Sequence, residues 1–170
     1  MTRIAIGADH RGAEVRTHLM EALRQQGYDV LDLPSACHDT KGCDYPDDAF
    51  RVSTCVAQGQ ADFGILICGS GIGMSIAANK VRGVRAALVH DEIGADLSRR
   101  HNNANVLCLS ADMLGVRFID KIVGTWLKTP FEGGRHARRV AKVTAIEQGG
   151  DPATVGDVAA AVARDAMGHG

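Results

Sequence analysis

At 170 residues, 45% hydrophobic and 23% charged, the chain has the size and composition of one globular domain, far from those of a disordered segment. Lys plus Arg (19) and Asp plus Glu (20) nearly cancel to a net charge of −1, which excludes the basic excess of a nucleic-acid binder and leaves any anionic ligand to a local cluster of cations. No apolar run reaches the roughly 18 residues that span a bilayer, no signal peptide opens the chain and the five cysteines form no C-x-x-C pair, so a cytoplasmic protein with reduced thiols and no membrane partner is expected.

In chain order, Arg3 to Ala8 reads as a short apolar strand. A helix from about Arg11 places Val15, Leu19, Ala22 and Leu23 on one face until Gly27 stops it. Tyr28 to Leu33 is a second strand, and Pro34 to Tyr45 has no period and reads as a long loop. Pro46 suits the first turn of a helix whose buried stripe is Ala49, Val52 and Val56. Phe63 to Cys68 is a continuous apolar run, as a central parallel strand requires. After a turn over Gly69 to Gly73, helix resumes to about Lys80 and a fourth strand spans Val84 to Val89. Asp91 caps a helix carrying Ile93 and Leu97 that ends near His101-Asn102-Asn103, and Asn105 to Leu109 is the fifth strand. Val116, Ile119, Val123 and Trp126 mark one face of a long helix, and a last amphipathic helix follows Gly133-Gly134. Strands separated by helices of this length predict an open parallel α/β sheet with ligands at the carboxyl ends of the strands. Residues 1–147 form the expected domain, and 148–170 an appended tail with a weak helix from Pro152.

The segment from Cys68 through Gly69, Ser70, Gly71, Ile72 and Gly73 to Met74 closes the most buried strand and opens a helix. Its glycines let backbone amides approach a ligand, and amides at a helix start favour negative charge and thiolate character in Cys68. It is neither a dinucleotide fingerprint, since Met74 stands where the third glycine would, nor a Walker loop. Asp9 and His10 end the first strand, so they face the same rim as Cys68. Arg135 and Arg139, one turn apart beside an N-terminus opened by glycines, can clamp a phosphate. Each feature also fits a plainer role: Cys68 a small core residue, Asp9 a helix cap, His101 a partner of its helix dipole, the arginines a solvated face. Cys37, His38, Cys43 and Asp44 match no standard zinc spacing, so no metal is expected there.

Taken together, these residues resemble the ribose-5-phosphate isomerase B family, which includes the galactose- and allose-6-phosphate isomerases. The resemblance runs from residue 3 to 147 through IAIGADH at 4–10, DYP at 44–46, GILICGSGIGMSIAANK at 64–80, GVRAA at 83–87, SRRHNNANVL at 98–107 and EGGRHARRV at 132–140. It implies a Rossmann-like three-layer α/β/α sandwich on a five-stranded parallel sheet and no metal or organic cofactor. It also implies a homodimer, or a tetramer built from it, whose active sites form at the subunit interface.

The activity it implies is aldose–ketose isomerisation of ribose 5-phosphate and ribulose 5-phosphate through an enediolate. Members carry the base either as a Cys before the glycine loop or as a Glu after it. This chain has Met74 at the later position, which leaves Cys68. Ser70 and the amides of Gly69, Gly71, Ile72 and Gly73 would hold the enediolate, and His101 would move the ring-opening proton. Asp9 and Asn102 would orient hydroxyls, Tyr45 line the sugar pocket, and His10, Arg135 and Arg139 bind the phosphate. One departure stands out: many members have a phosphate-binding arginine where this chain has Asp112, so either Arg11 takes over part of that role or the substrate is placed differently, and Asp112 itself is expected to pair with Arg11 or turn to solvent. The alternatives are the same chemistry on another aldose phosphate of four to six carbons, of the allose or galactose 6-phosphate type, and a phosphocysteine carrier of a sugar-transport system. The carrier would not need His101 or the paired arginines.

Overall fold

The computed structural model describes residues 1–33 and 44–156. Five strands, β1 (Arg3–Ala8), β2 (Asp29–Asp32), β3 (Phe63–Cys68), β4 (Ala86–Leu88) and β5 (Val106–Ser110), form one parallel sheet in the order β2-β1-β3-β5-β4. Helices α1 (Ala13–Gln25), α2 (Tyr45–Ala57), α3 (Ile72–Ala78), α4 (Glu92–Asn102), α5 (Val116–Lys128) and α6 (Arg135–Glu147) follow or join them, with a last 3-10 turn at Pro152–Thr154 in place of a helix. The metal reading of Cys37, His38 and Cys43 and most of the 34–45 loop lie outside the described residues. No described helix is long and apolar enough to cross a membrane.

Strand-to-strand moves explain the layers. The chain steps one place to reach β2, two places the other way to β3, two more to β4, and one back to β5. Right-handed crossovers then put α1 and α4 on one face and α2 and α3 on the other. The core divides accordingly. One cluster joins Val15, Leu19 and Leu23 of α1 and Ile119, Ile122 and Trp126 of α5 to Ile4, Ile65 and Leu107. The other joins Ala49, Val52 and Val56 of α2 and Met74 and Ala78 of α3 to Ala5, Leu66, Cys68 and Cys108. Alternate residues of β3 thus serve opposite faces, which makes it a continuous apolar run.

The fourth strand is shorter than the expected Val84 to Val89, and α4 leaves its large apolar side chains outside: Ile93 and Leu97 are 71% and 38% exposed, while Ala95, Ser98 and Arg99 face inward. The buried Arg99 guanidinium lies 4.8 Å from the Phe63 ring centroid and 5.4 Å from that of Trp126, and it donates to the Ala104 carbonyl at 2.6 Å. Aromatic faces and a carbonyl take the place of aliphatic contacts there. β4 is only three residues long because it is an edge, and Asn79 mimics a further strand by donating to the Ala86 carbonyl and accepting from its N–H, both at 2.9 Å.

Candidate active site

The sheet order reverses direction between β1 and β3, so the crevice at their carboxyl ends is the ligand position of such folds. Asp9 lies at this rim, 7% exposed, and its Oδ1 accepts from the N–H of Arg11 at 2.9 Å and of Gly12 at 3.2 Å. That oxygen therefore caps the turn into α1, and His10 is exposed beside it. Across the crevice Cys68, 5% exposed, directs Sγ toward the α2–α3 face, where the Gly71 N–H donates to it at 3.1 Å. Gly71 has φ +76°, a conformation that aims this amide back at the sulfur. Ser70 Oγ accepts from the Ile72 N–H at 3.3 Å. The Tyr45 ring lies over Gly73, 2.6 Å from where a β-carbon would stand. α3 spans seven residues, stopping at Ala78 instead of running to Lys80, so the bent backbone of residues 68–73 supplies most of the local polarity.

Of the described free thiols, burial pushes Cys108 and Cys55 upward from the usual thiol value, so both stay protonated in the core. Cys68 is the thiol at the crevice. Asp112 reaches the same rim, where its N–H donates to the Gly69 carbonyl. Its Oδ2 accepts from Arg11 Nε at 2.8 Å, which raises the guanidinium's affinity for its proton, and the pair covers Gly69. The Asp112 carboxylate is therefore neutralised by this chain's own arginine.

His101 and Asn102 do not join this rim. A helix between parallel strands returns the chain to their amino ends, and α4 does so. Arg85, just before β4, donates from Nε to the carbonyls of Asn102 (3.1 Å) and Asn103 (2.9 Å), while the Gly64 N–H, at the start of β3, donates to Asn105. Register pairs Gly64 with Val106 and Cys68 with Ser110, so the two rims are four strand steps, about 13 Å, apart along the sheet. The α4 layer is also on the opposite face from the Cys68 side chain. α6 packs beside α4, and a cavity of 660 Å³ between α6, β4 and the end of α3 is lined by Asn102, Arg139, Val140 and Val143 but not by Cys68. Arg135 and Arg139 are exposed on α6. The candidate residues thus form two groups: Asp9, His10, Tyr45 and residues 68–73 at the carboxyl rim, and His101, Asn102, Arg135 and Arg139 at the amino rim.

One residue that the spacing argument passed over is His136, inside the arginine motif. It is 3% exposed, and its ring stacks on that of His101 with centroids 4.1 Å apart and planes 1° from parallel. Glu132 Oε2 lies 3.7 Å from His101 Nε2 and accepts from Arg100 Nη2 at 3.1 Å, and that guanidinium holds the carboxyl below its usual range. The signal was the histidine itself, one position into α6 after two glycines.

A parallel α/β sheet with a thiol and a glycine-rich amide loop at its switch point defines a small-molecule enzyme of the Rossmann-like class. The chain belongs to the Ribose/Galactose Isomerase family, which matches residues 4–143. It is 43% identical over 148 residues to ribose-5-phosphate isomerase B of Escherichia coli, covering 87% of this chain and 98% of that one. It is 41% identical over 145 residues to the D-erythrulose-4-phosphate isomerase of Pectobacterium atrosepticum, covering 84% and 93%. The fold is similar to that of the ribose-5-phosphate isomerase B of Mycoplasma genitalium with bound ribulose-5-phosphate, with a TM-score of 0.81, 45% identity, and 86% and 97% of the two chains covered.

Proposed function

We propose that this protein interconverts ribose 5-phosphate and ribulose 5-phosphate through an enediolate, with Cys68 as the base. The observation that carries the reading is the Cys68 sulfur, held by the Gly71 N–H at the carboxyl rim of a chain whose relatives, 41–43% identical, are sugar-phosphate isomerases. The closed sugar must first open, and His101 moves a proton between the ring oxygen and the O1 hydroxyl. The Cys68 thiolate then takes the C2 proton, the C–H electron pair becomes the C1–C2 double bond, and O1 takes the negative charge. Amides of Gly69, Gly71, Ile72 and Gly73 and the Ser70 hydroxyl hold that charge, at about 3 kcal/mol for a well-placed donor. Transfer of the O2 proton to O1, with return of the carbon-bound proton from the Cys68 thiol to C1, gives the ketose and restores the thiolate. Asp9 and Asn102 orient hydroxyls, Tyr45 walls the pocket, and His10, Arg135 and Arg139 take the phosphate. Every step uses groups of the chain itself.

Because the two residue groups sit at opposite rims, this chemistry needs two copies. In a two-fold dimer the carboxyl rim of each subunit meets the amino rim of the other, giving two equivalent sites. Side chains left exposed on α3 (Ile72, Ile76) and α6 (Val143, Ile146) supply apolar contact beside both groups. Residues 1–147 make up this unit, with 148–170 as its tail, and a thiol base suits the reducing cytoplasm.

A second reading, a four-carbon aldose phosphate as substrate, is favoured by the erythrulose-4-phosphate relative. A coupled assay over four-, five- and six-carbon aldose phosphates tests both. The highest kcat/KM should fall on ribose 5-phosphate. Preference for a four-carbon substrate would replace the first reading with the second, and no turnover of any would overturn both.

A further inference from the structure

His101, Glu132 and His136 bring ligating atoms within 4.8 Å of one another, the geometry of a possible metal centre. The rings argue otherwise. An imidazole lone pair lies in its ring plane, and two planes 1° from parallel, with centroids 4.1 Å apart, do not converge on a shared ion. Among the described residues neither nitrogen of the buried His136 ring has a hydrogen-bond partner. What this ring offers its neighbour is a flat, fixed surface.

Resting on the isomerase reading above, we propose that His136 is a positioning residue for ring opening: its buried imidazole fixes the plane of His101, whose Nε2 must face the sugar. Three observations carry this. His136 is locked by burial at the start of α6, whereas His101 is one-third exposed in the last turn of α4 and needs an external constraint on its ring. The stack fixes the plane of the ring, while Glu132, itself anchored by Arg100, faces the Nε2 edge. Burial, with the charges of His101 and Arg135, moves His136 below the usual imidazole value, so near neutral pH it is a neutral wall and not a competing acid. The carboxylate and the stack together constrain orientation without a direct hydrogen bond to His136. Misaimed proton-transfer groups are costly, since a displacement of about 1 Å can lose 100-fold in rate.

The test separates ring opening from carbon deprotonation on one preparation. Net conversion of ribose 5-phosphate starts from a closed furanose. Exchange of the C1 hydrogens of ribulose 5-phosphate for solvent deuterium, followed by NMR, starts from an open chain and needs no ring opening. His136→Ala should lower net conversion about 10- to 100-fold and exchange by less than about threefold, while His136→Phe, which restores a flat ring, should keep both within about threefold of wild type. If the Ala variant does not fold, His136→Leu fills the volume without a flat ring and should show the same split. Equal losses in the two rates, or undiminished conversion in both the Ala and Leu variants, would overturn the positioning role. A wild-type protein that performs neither reaction would instead refute the isomerase reading on which it rests.

Discussion

Cys68→Ala is expected to reduce isomerisation by at least about 1,000-fold while leaving the fold intact, because the lost sulfur acts on the substrate proton and no described neighbour can replace it. Burial keeps Cys108 and Cys55 protonated, and Met74, whose thioether carries no proton to exchange, is fully buried. The structural cost should be small. Cys68 is already compact, the Ala side chain fits inside its volume, and the strand hydrogen bonds at this position run through the backbone, so about 1 kcal/mol of stability should be lost. Steady-state rates together with a thermal melt check both halves. Turnover within tenfold of wild type would remove Cys68 from the role of base.

The second large effect is expected at Gly71→Ala. Residue 71 has φ +76°, which costs an L-residue roughly 1–2 kcal/mol, and a β-carbon there would lie 2.5 Å from Leu88 Cδ1 and 3.0 Å from the Leu109 carbonyl carbon. Leu88 can rotate away, but Leu109 is backbone inside β5 and cannot. The loop must lift, and with it goes the 3.1 Å hydrogen bond from the Gly71 N–H to the Cys68 sulfur. A loss of about 2–4 kcal/mol in denaturant unfolding is expected, together with about 100-fold in kcat. Full activity with lowered stability would mean that the amide does not aim the thiol.

Much of the fold was legible because it follows from periodicity. The run from Phe63 to Cys68 is apolar on every residue because two helical layers cover it, and the stripes of α1, α2 and α5 recur at helical spacing because one face of each meets the sheet. α4 broke the pattern. Its inward face is Ala95, Ser98 and Arg99, and hydropathy alone does not mark an arginine whose charge rests on two aromatic rings and a carbonyl. At the candidate site, the shared rim of Asp9, His10 and Cys68 follows from parallel strands ending together. By the same rule the end of α4 belongs to the amino rim, so chain topology alone separates His101 from Cys68. The Arg11–Asp112 pair was harder to fix: the two residues are 101 positions apart, and only the packing of the Asp112 turn against Gly69 decides between pairing and solvent. The His101–His136 stack depends on how α6 docks on α4, which no local spacing encodes.

The central claim is that one working site takes Cys68 from one subunit and His101 from the other. The direct test mixes Cys68→Ala protein with His101→Ala protein, dissociates both in denaturant and refolds them together. Random pairing makes half the dimers mixed, each with one intact site of two, so the mixture should recover about one quarter of wild-type activity although each parent is nearly inactive. A mixture shown by mass spectrometry to contain mixed dimers, yet no more active than its parents, would contradict a shared site.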